Sequence, residues 1–205
     1  MKIQDLGLQE YLPVVERMRA FVEQRQQQSD DEIWLLEHYP VFTQGANGDP
    51  AHVLNAHDIP VITTDRGGQV TYHGPGQLIA YPLIDLRRAG IGVRQMVTHL
   101  EQAVVSMLSV YNVTAYARAD APGVYVDGAK IASLGLRVKR GCCYHGISIN
   151  IAMDLTPFRY INPCGYADMQ MIDLKSMGIE LAMAEAKQHF VTALLAQMTI
   201  GNEST

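Results

Sequence analysis

Apolar residues recur at intervals of three and four in three stretches of the chain, and that spacing predicts amphipathic helices. Leu12, Val15, Met18, Phe21 and Val22 mark the first, over 10–28; Met96, Val97, Leu100, Val104, Met107 and Leu108 mark the second, over 93–110. Ala184, Phe190, Val191, Leu194 and Leu195 mark a closing helix over 183–198. Between them, short apolar runs bounded by breakers predict strands at 32–38, 59–64, 69–73, 78–83, 113–117, 123–126, 130–138 and 143–152. Pro40 ends the first of these, and 41–45 leads into a polar loop at Asn47-Gly48-Asp49-Pro50. Asp127-Gly128 is a two-residue turn signal, and Lys139-Arg140-Gly141 closes a hairpin in which Gly141 can take φ > 0. The stretch 155–161 reads as irregular. Helices at both ends and many hairpins between them predict an α/β (α+β) domain over 1–205, with a mostly antiparallel or mixed sheet flanked by helices.

Composition narrows the function classes. No apolar run reaches the roughly 18 residues that a spanning helix needs, so no membrane role is expected. The first residues, MKIQDLGLQEY, are polar and lack the apolar core of a signal peptide. Three cysteines, two of them adjacent, make no disulfide framework, and a reducing cytoplasmic setting fits them. A net charge of −5 argues against general nucleic-acid binding. The charge is uneven, however. Lys130, Arg137, Lys139, Arg140 and Arg159 face a single acid, Asp154, between 128 and 160. That basic stretch is either a docking surface for an acidic partner or a solvated hairpin tip.

The candidate chemistry centres on 128–165. A hairpin returns the chain on itself, so Lys130 and Cys164 can meet at one end. An ammonium beside a thiol favours the nucleophilic thiolate, which makes Cys164 a candidate nucleophile with Lys130 as its partner. The alternatives are a solvated strand lysine and a small core cysteine. Gly67, Gly68, Gly74 and Gly76 punctuate 65–86, where Arg66, Tyr72, His73 and Gln77 offer polar groups. This stretch is either a ligand-binding loop or a plain hairpin. It has neither a phosphate-binding lysine motif nor a dinucleotide fingerprint. Cys142 and Cys143 would face opposite sides of a strand, so no metal site is expected there.

Taken together, RGGQVTYHGPGQLIAYPLIDL (66–86), GAKIASLG (128–135), HGISINI (145–151) and INPCG (161–165) resemble the octanoyltransferases of lipoic acid biosynthesis, and HYPVFTQG (38–45) resembles their N-terminal motif. The resemblance implies the fold of the biotin and lipoate protein ligases. It implies transfer of an octanoyl group from octanoyl-acyl carrier protein to a lysine of lipoyl domains, those of 2-oxoacid dehydrogenase complexes and the glycine cleavage H protein. A monomer without cofactor is expected. Cys164 matches the acyl-accepting cysteine and Lys130 its paired lysine. The substrate-binding segments match Arg66, Gly67, Gly68, Gln69, Val70, Thr71, Tyr72 and His73, then Ser133, Leu134 and Gly135, then Gly146, Ile147 and Ser148. Asp168 and Ile172 depart from the smaller or hydroxyl residues expected after the cysteine.

That reaction needs two acyl transfers, the first onto Cys164 and the second onto an amine that must be deprotonated. Lys130 is the expected base for the second, with His73 and His145 as rivals. Backbone amides at Gly67-Gly68, Gly74 and Gly165 are candidate oxyanion donors. Tyr72, Ile79, Leu134 and Ile147 are candidate walls for the acyl chain. The rival reading is an ATP-dependent lipoate or biotin-type ligase of the same fold, which would not need Cys164.

Overall fold

The chain enters the sheet at an edge. In the computed structural model, which describes residues 1–200, β1 (Lys2–Gln9) runs parallel to β2 (Glu32–His38), and α1 (Tyr11–Gln24) crosses between them. The sequence pattern gives no strand at the N-terminus. β1 is mostly exposed, so it carries no apolar alternation, and its backbone pairing with β2 makes the strand.

The remaining strands of this sheet pair antiparallel. β6 (Gln77–Leu83) lies beside β2, then come β10 (Cys142–Asn150), β9 (Ala129–Lys139), β8 (Gly123–Val126) and β7 (Tyr116–Ala117). The seven strands are therefore mixed, with one parallel pair at the edge. A second, smaller sheet sets β3 (Val41–Gln44) between β4 (Val61–Thr63) and β5 (Thr71–His73). β3 falls where the pattern reads only a turn into a polar loop. Its four residues are all buried, so polar Thr43 and Gln44 gave no alternating signal.

Alternation along β6 divides the core. Leu78 and Ala80 face α2 (Val93–Ser109) and α3 (Met183–Ile200), whereas Ile79, Tyr81 and Leu83 face α1. Cys143 and Cys142 split in the same way. On α3 the buried face is Ala186, Phe190 and Leu194, while Ala184 and Leu195 are exposed. A third cluster, Phe42, Val70, Tyr72, Phe158 and Ile161, lies under the small sheet.

Both turns at the ends of β9 use consecutive residues with φ > 0: Asp127 and Gly128, then Arg140 and Gly141. This is the mirror-image turn whose twist matches a tight hairpin. One central irregularity shapes the cleft. Pro82 sits inside β6 and has no N–H to give the ladder. Alongside it, His145 of β10 takes φ 57° without a shift of register against β9, and pairing with β6 lapses between Ile147 and Cys143.

Candidate active site

Two of the segments expected to touch substrate are partners across one hairpin. Ser133 pairs with Ser148, Leu134 with Ile147 and Gly135 with Gly146. Their surfaces, together with the loop 66–69, enclose a cleft of about 360 Å³. Arg66, Gly67, Gly68, Gln69, Thr71, His73, Ser133, Leu134, Gly135, Gly146, Ile147, Ser148, Lys130 and Cys164 all line it. Val70 and Tyr72 do not. They occupy the opposite face of their strand and pack into the third core cluster, as period-two alternation requires. Of the expected walls, Ile79, Leu134 and Ile147 line the cleft. Tyr72 instead turns its hydroxyl towards Gly74, which also lies off the cleft.

Cys164 sits in a single 3₁₀ turn, Pro163–Gly165, with φ 56°. A non-glycine residue there is strained, and its neighbours hold it: the Cys164 N–H donates to the Val70 carbonyl at 3.1 Å and the Gly165 N–H to Asn162 at 2.9 Å. Val70 thus reaches the site through its backbone. Lys130, 1% exposed, donates from Nζ to Cys164 Sγ at 3.1 Å and to the Pro122 carbonyl at 3.0 Å. The Tyr125 ring lies 5.3 Å from the same nitrogen. Burial pulls the pKa of this lysine down, but its contacts with Cys164 and then Tyr125 outweigh that and hold Lys130 above its usual value.

Arg66 is committed to structure. Its guanidinium is buried and donates to Thr43, both hydroxyl and carbonyl, and to the carbonyls of Gly67 and Gln69. It therefore staples the 66–69 loop to β3. The loop passes so close to β3 that a Cβ on Gly45 would meet the Gly68 oxygen at 1.9 Å. Of the glycine amides expected to serve an oxyanion, Gly67 donates to Leu136 and Gly165 to Asn162.

His73, Tyr81 and His145 line the cleft and bond to polar groups around it. His73 is buried and hydrogen-bonds Gln77 at 2.8 Å, and burial pushes it down to about 3. His38 binds the Tyr81 hydroxyl at 2.8 Å and is pushed down to about 4 by burial. His145 donates to Asp65 Oδ1 at 3.0 Å, and Tyr144 and Arg19 share that carboxylate. Asp65 is held well below the usual carboxylate range, first by His145 and then by Arg19 and Tyr144. Burial lowers the pKa of His145 all the same, against the opposing pull of Asp65. Sequence reasoning passed over Tyr11, Tyr81, Asp65 and Gly123 here. The first three stand in ordinary core and loop patterns. Among the described residues, no three His, Cys, Asp or Glu side chains gather as a metal site, and no helix is long and apolar enough to cross a membrane.

A mixed sheet flanked by helices in this order is the fold of the lipoate and biotin protein ligases. A bi-partite lipoate protein ligase of Thermoplasma acidophilum, solved with its E2 lipoyl domain, superposes with a TM-score of 0.72 at 14% identity over 97% of this chain and 84% of that one. The biotin protein ligase of Aquifex aeolicus gives 0.62 at 11% identity over 100% and 72%. These likenesses speak to the fold. The family described as the lipoyl protein ligase A/B catalytic domain matches residues 10–195. The octanoyltransferase of Shewanella piezotolerans is 53% identical over 98% of this chain and 92% of its own. The chain belongs to that family and, within it, to the octanoyltransferases, and it is an acyltransferase.

Proposed function

We propose that the chain transfers an octanoyl group from octanoyl-acyl carrier protein to a lysine of lipoyl domains, through a thioester on Cys164. The observation that carries this reading is the 3.1 Å contact between Lys130 Nζ and Cys164 Sγ inside the cleft. An ammonium–thiolate pair is a ready nucleophile.

In the first step the thiolate attacks the thioester carbonyl, a new C–S bond forms to Cys164, and the carrier thiolate leaves with the Lys130 proton. In the second, a neutral lysine amine of the acceptor attacks the acyl-enzyme. The amide forms, the bond to Cys164 breaks, and Lys130 accepts the amine's proton, which restores the starting pair. The carrier's thioester is already activated, so the scheme needs no nucleotide or metal. Leu134, Ile147 and Ile79 offer the acyl chain an apolar wall, worth roughly 0.8 kcal/mol per buried methylene. Exposed Val93, Asp120 and Tyr166 stand at the rim, where the two protein partners would dock. The acceptors are the lipoyl domains of 2-oxoacid dehydrogenase complexes and the glycine cleavage H protein. The enzyme acts as a monomer in the cytoplasm.

Intact mass spectrometry tests this. Mixed with octanoyl-acyl carrier protein alone, the chain should gain one octanoyl group at Cys164 and lose it when a lipoyl domain is added. Folded protein that gains no adduct, but modifies a lipoyl domain from free acid and ATP, would point to the ligase reading instead.

A further inference from the structure

Behind the cysteine and lysine lies a buried carboxylate that the two-step chemistry does not use. Glu101 stands on the apolar side of α2, between Leu100 and Val104, and is 7% exposed. Its Oε1 accepts the Gly123 N–H at 2.8 Å. The carbonyl of the same peptide unit, that of Pro122, accepts from Lys130 Nζ at 3.0 Å. A peptide bond is a rigid plane with its N–H and C=O on opposite edges. One plane therefore links the Glu101 carboxylate to the Lys130 ammonium, which in turn touches Cys164 Sγ at 3.1 Å. A carboxylate accepting from the N–H polarises the carbonyl towards the ammonium.

The neighbouring backbone is built around this chain of contacts. Gly123 takes φ 143°, and a Cβ there would fall 2.6 Å from Lys130 Cε. No bulkier residue leaves the lysine its channel. Three groups with charge or a titrating proton face Lys130 from the elements around it: Cys164 from its 3₁₀ turn, Tyr125 from β8 and Glu101 from α2.

We infer that Glu101 is a positioning residue, holding Lys130 on Cys164 through the Pro122–Gly123 peptide and setting by its charge when Lys130 gives up and regains a proton. The inference rests on the thioester reading above. In the free enzyme Lys130 has two anions near it, the thiolate and Glu101. Acylation removes the first, because a thioester is neutral. Burial then favours neutral Lys130, the form that accepts the amine's proton, and only Tyr125 and the charge of Glu101 still oppose it. The carboxylate thus stabilises the ion pair before acylation and fixes the pH at which the acyl-enzyme acquires its base. Its own burial raises its pKa, and its bond from Gly123 and the charge of Lys130 lower it.

Glu101→Gln separates charge from shape, since the amide oxygen still accepts from Gly123. The two half-reactions are followed on the full chain by intact mass: octanoylation of Cys164 from the carrier thioester, and its discharge onto a lipoyl domain, each across a pH series. In the variant, discharge should acquire its base about one pH unit lower than in the parent, making it up to about tenfold faster on the acid side of the parent's midpoint. Octanoylation should be slower at every pH. Glu101→Asp, which keeps the charge, should return the discharge midpoint towards that of the parent. If Glu101→Gln slows both halves and leaves the discharge midpoint in place, Glu101 merely caps the Gly123 amide and the inference fails. A parent enzyme that forms no adduct would sink the thioester reading itself, a separate outcome. A melting curve of the folded variant excludes unfolding as the cause of either result.

Discussion

Lys130 Nζ lies 3.1 Å from Cys164 Sγ although the two residues are 34 apart in sequence, and the lysine is 1% exposed. Removing one partner of a buried ion pair is costly when it strands the other charge, but the partly exposed Cys164 can stay a neutral thiol once the lysine is gone. Lys130→Met should therefore leave the unfolding free energy within about 2 kcal/mol of the parent while lowering octanoyl transfer by roughly 10²–10⁴-fold. Cys164→Ser should behave differently. Without the thiolate only Glu101 and Tyr125 offset the burial of Lys130, so the fold should weaken as the adduct disappears. Urea unfolding and adduct mass, measured on both variants, check the pair of expectations. A Lys130→Met enzyme of near-normal rate would remove the lysine from the chemistry.

Gly123→Ala should harm both stability and turnover. The residue's φ of 143° is hostile to a side chain, and the new methyl would meet the Ala132 oxygen and Lys130 Cε at 2.6 Å each. Backbone strain of this sort costs about 1–3 kcal/mol and overpacking a similar amount. Because the lysine must move to admit the methyl, the rate of Cys164 octanoylation should fall further than the stability loss alone explains. Chemical denaturation and adduct kinetics on the same preparation decide it. Unchanged octanoylation in a folded variant would show that Lys130 tolerates displacement.

Much of the scaffold was readable because its periodicities are strong. β2 was expected at 32–38 and is found there, and α2 was expected at 93–110 and spans Val93–Ser109. The Asp127-Gly128 turn and the β9–β10 hairpin followed from turn chemistry, and they bring Lys130 back towards the substrate-binding segments. β1 and β3 were not legible. One is exposed and the other buried on both faces, so neither alternates. The split of 66–73 into cleft-lining Thr71 and His73 and core-facing Val70 and Tyr72 follows from period two, which a list of motif residues ignores. Glu101 did leave a signal: an acid four residues after Val97 and three before Val104, inside an apolar helical stripe. The meeting of Lys130 with the 163–165 turn depends on tertiary packing, which no local pattern encodes.

The hairpin floor gives a prediction about acyl recognition. Gly135 and Gly146 pair with each other, and neither has room for a methyl. A Cβ on Gly135 would sit 2.6 Å from the Gly67 oxygen and 3.4 Å from Arg66 Cδ, so Gly135→Ala should push the 66–69 loop away from β9. The loop and floor enclose the cleft together, and the octanoyl chain would lose part of its contact. Each methylene returned to water is worth about 0.8 kcal/mol, so kcat/KM with an octanoyl donor should fall by roughly tenfold or more. Shorter donors should suffer less, and comparing butanoyl with octanoyl donors measures this. By contrast, Gly146→Ala would put its methyl 2.0 Å from the Ala80 oxygen in fully buried β6, and it should compromise folding first.

Acid should destabilise the protein earlier than its carboxylates alone would suggest. His73 is pushed down to about 3 and His38 to about 4 by burial, against an unfolded value near 6.5. The unfolded chain therefore binds two more protons than the native one across that window. Stability from these groups is fully present above pH 6.5 and is lost as the pH falls towards 3–4. Each proton contributes about 1.36 kcal/mol per pH unit, so the two together should approach a slope of roughly 2.7 kcal/mol per unit near pH 5. His145, also lowered by burial, acts in the same sense, and Asp65 joins at the acid end because its depressed pKa has the same sign of effect. Urea unfolding at pH 7, 6 and 5 gives the slope directly. His38→Gln, which can keep a hydrogen bond to Tyr81, should flatten it by about one proton's worth. A slope that the substitution leaves unchanged would mean that His38 is not the neutral, buried ring described by its contacts with Gln9 and Tyr81.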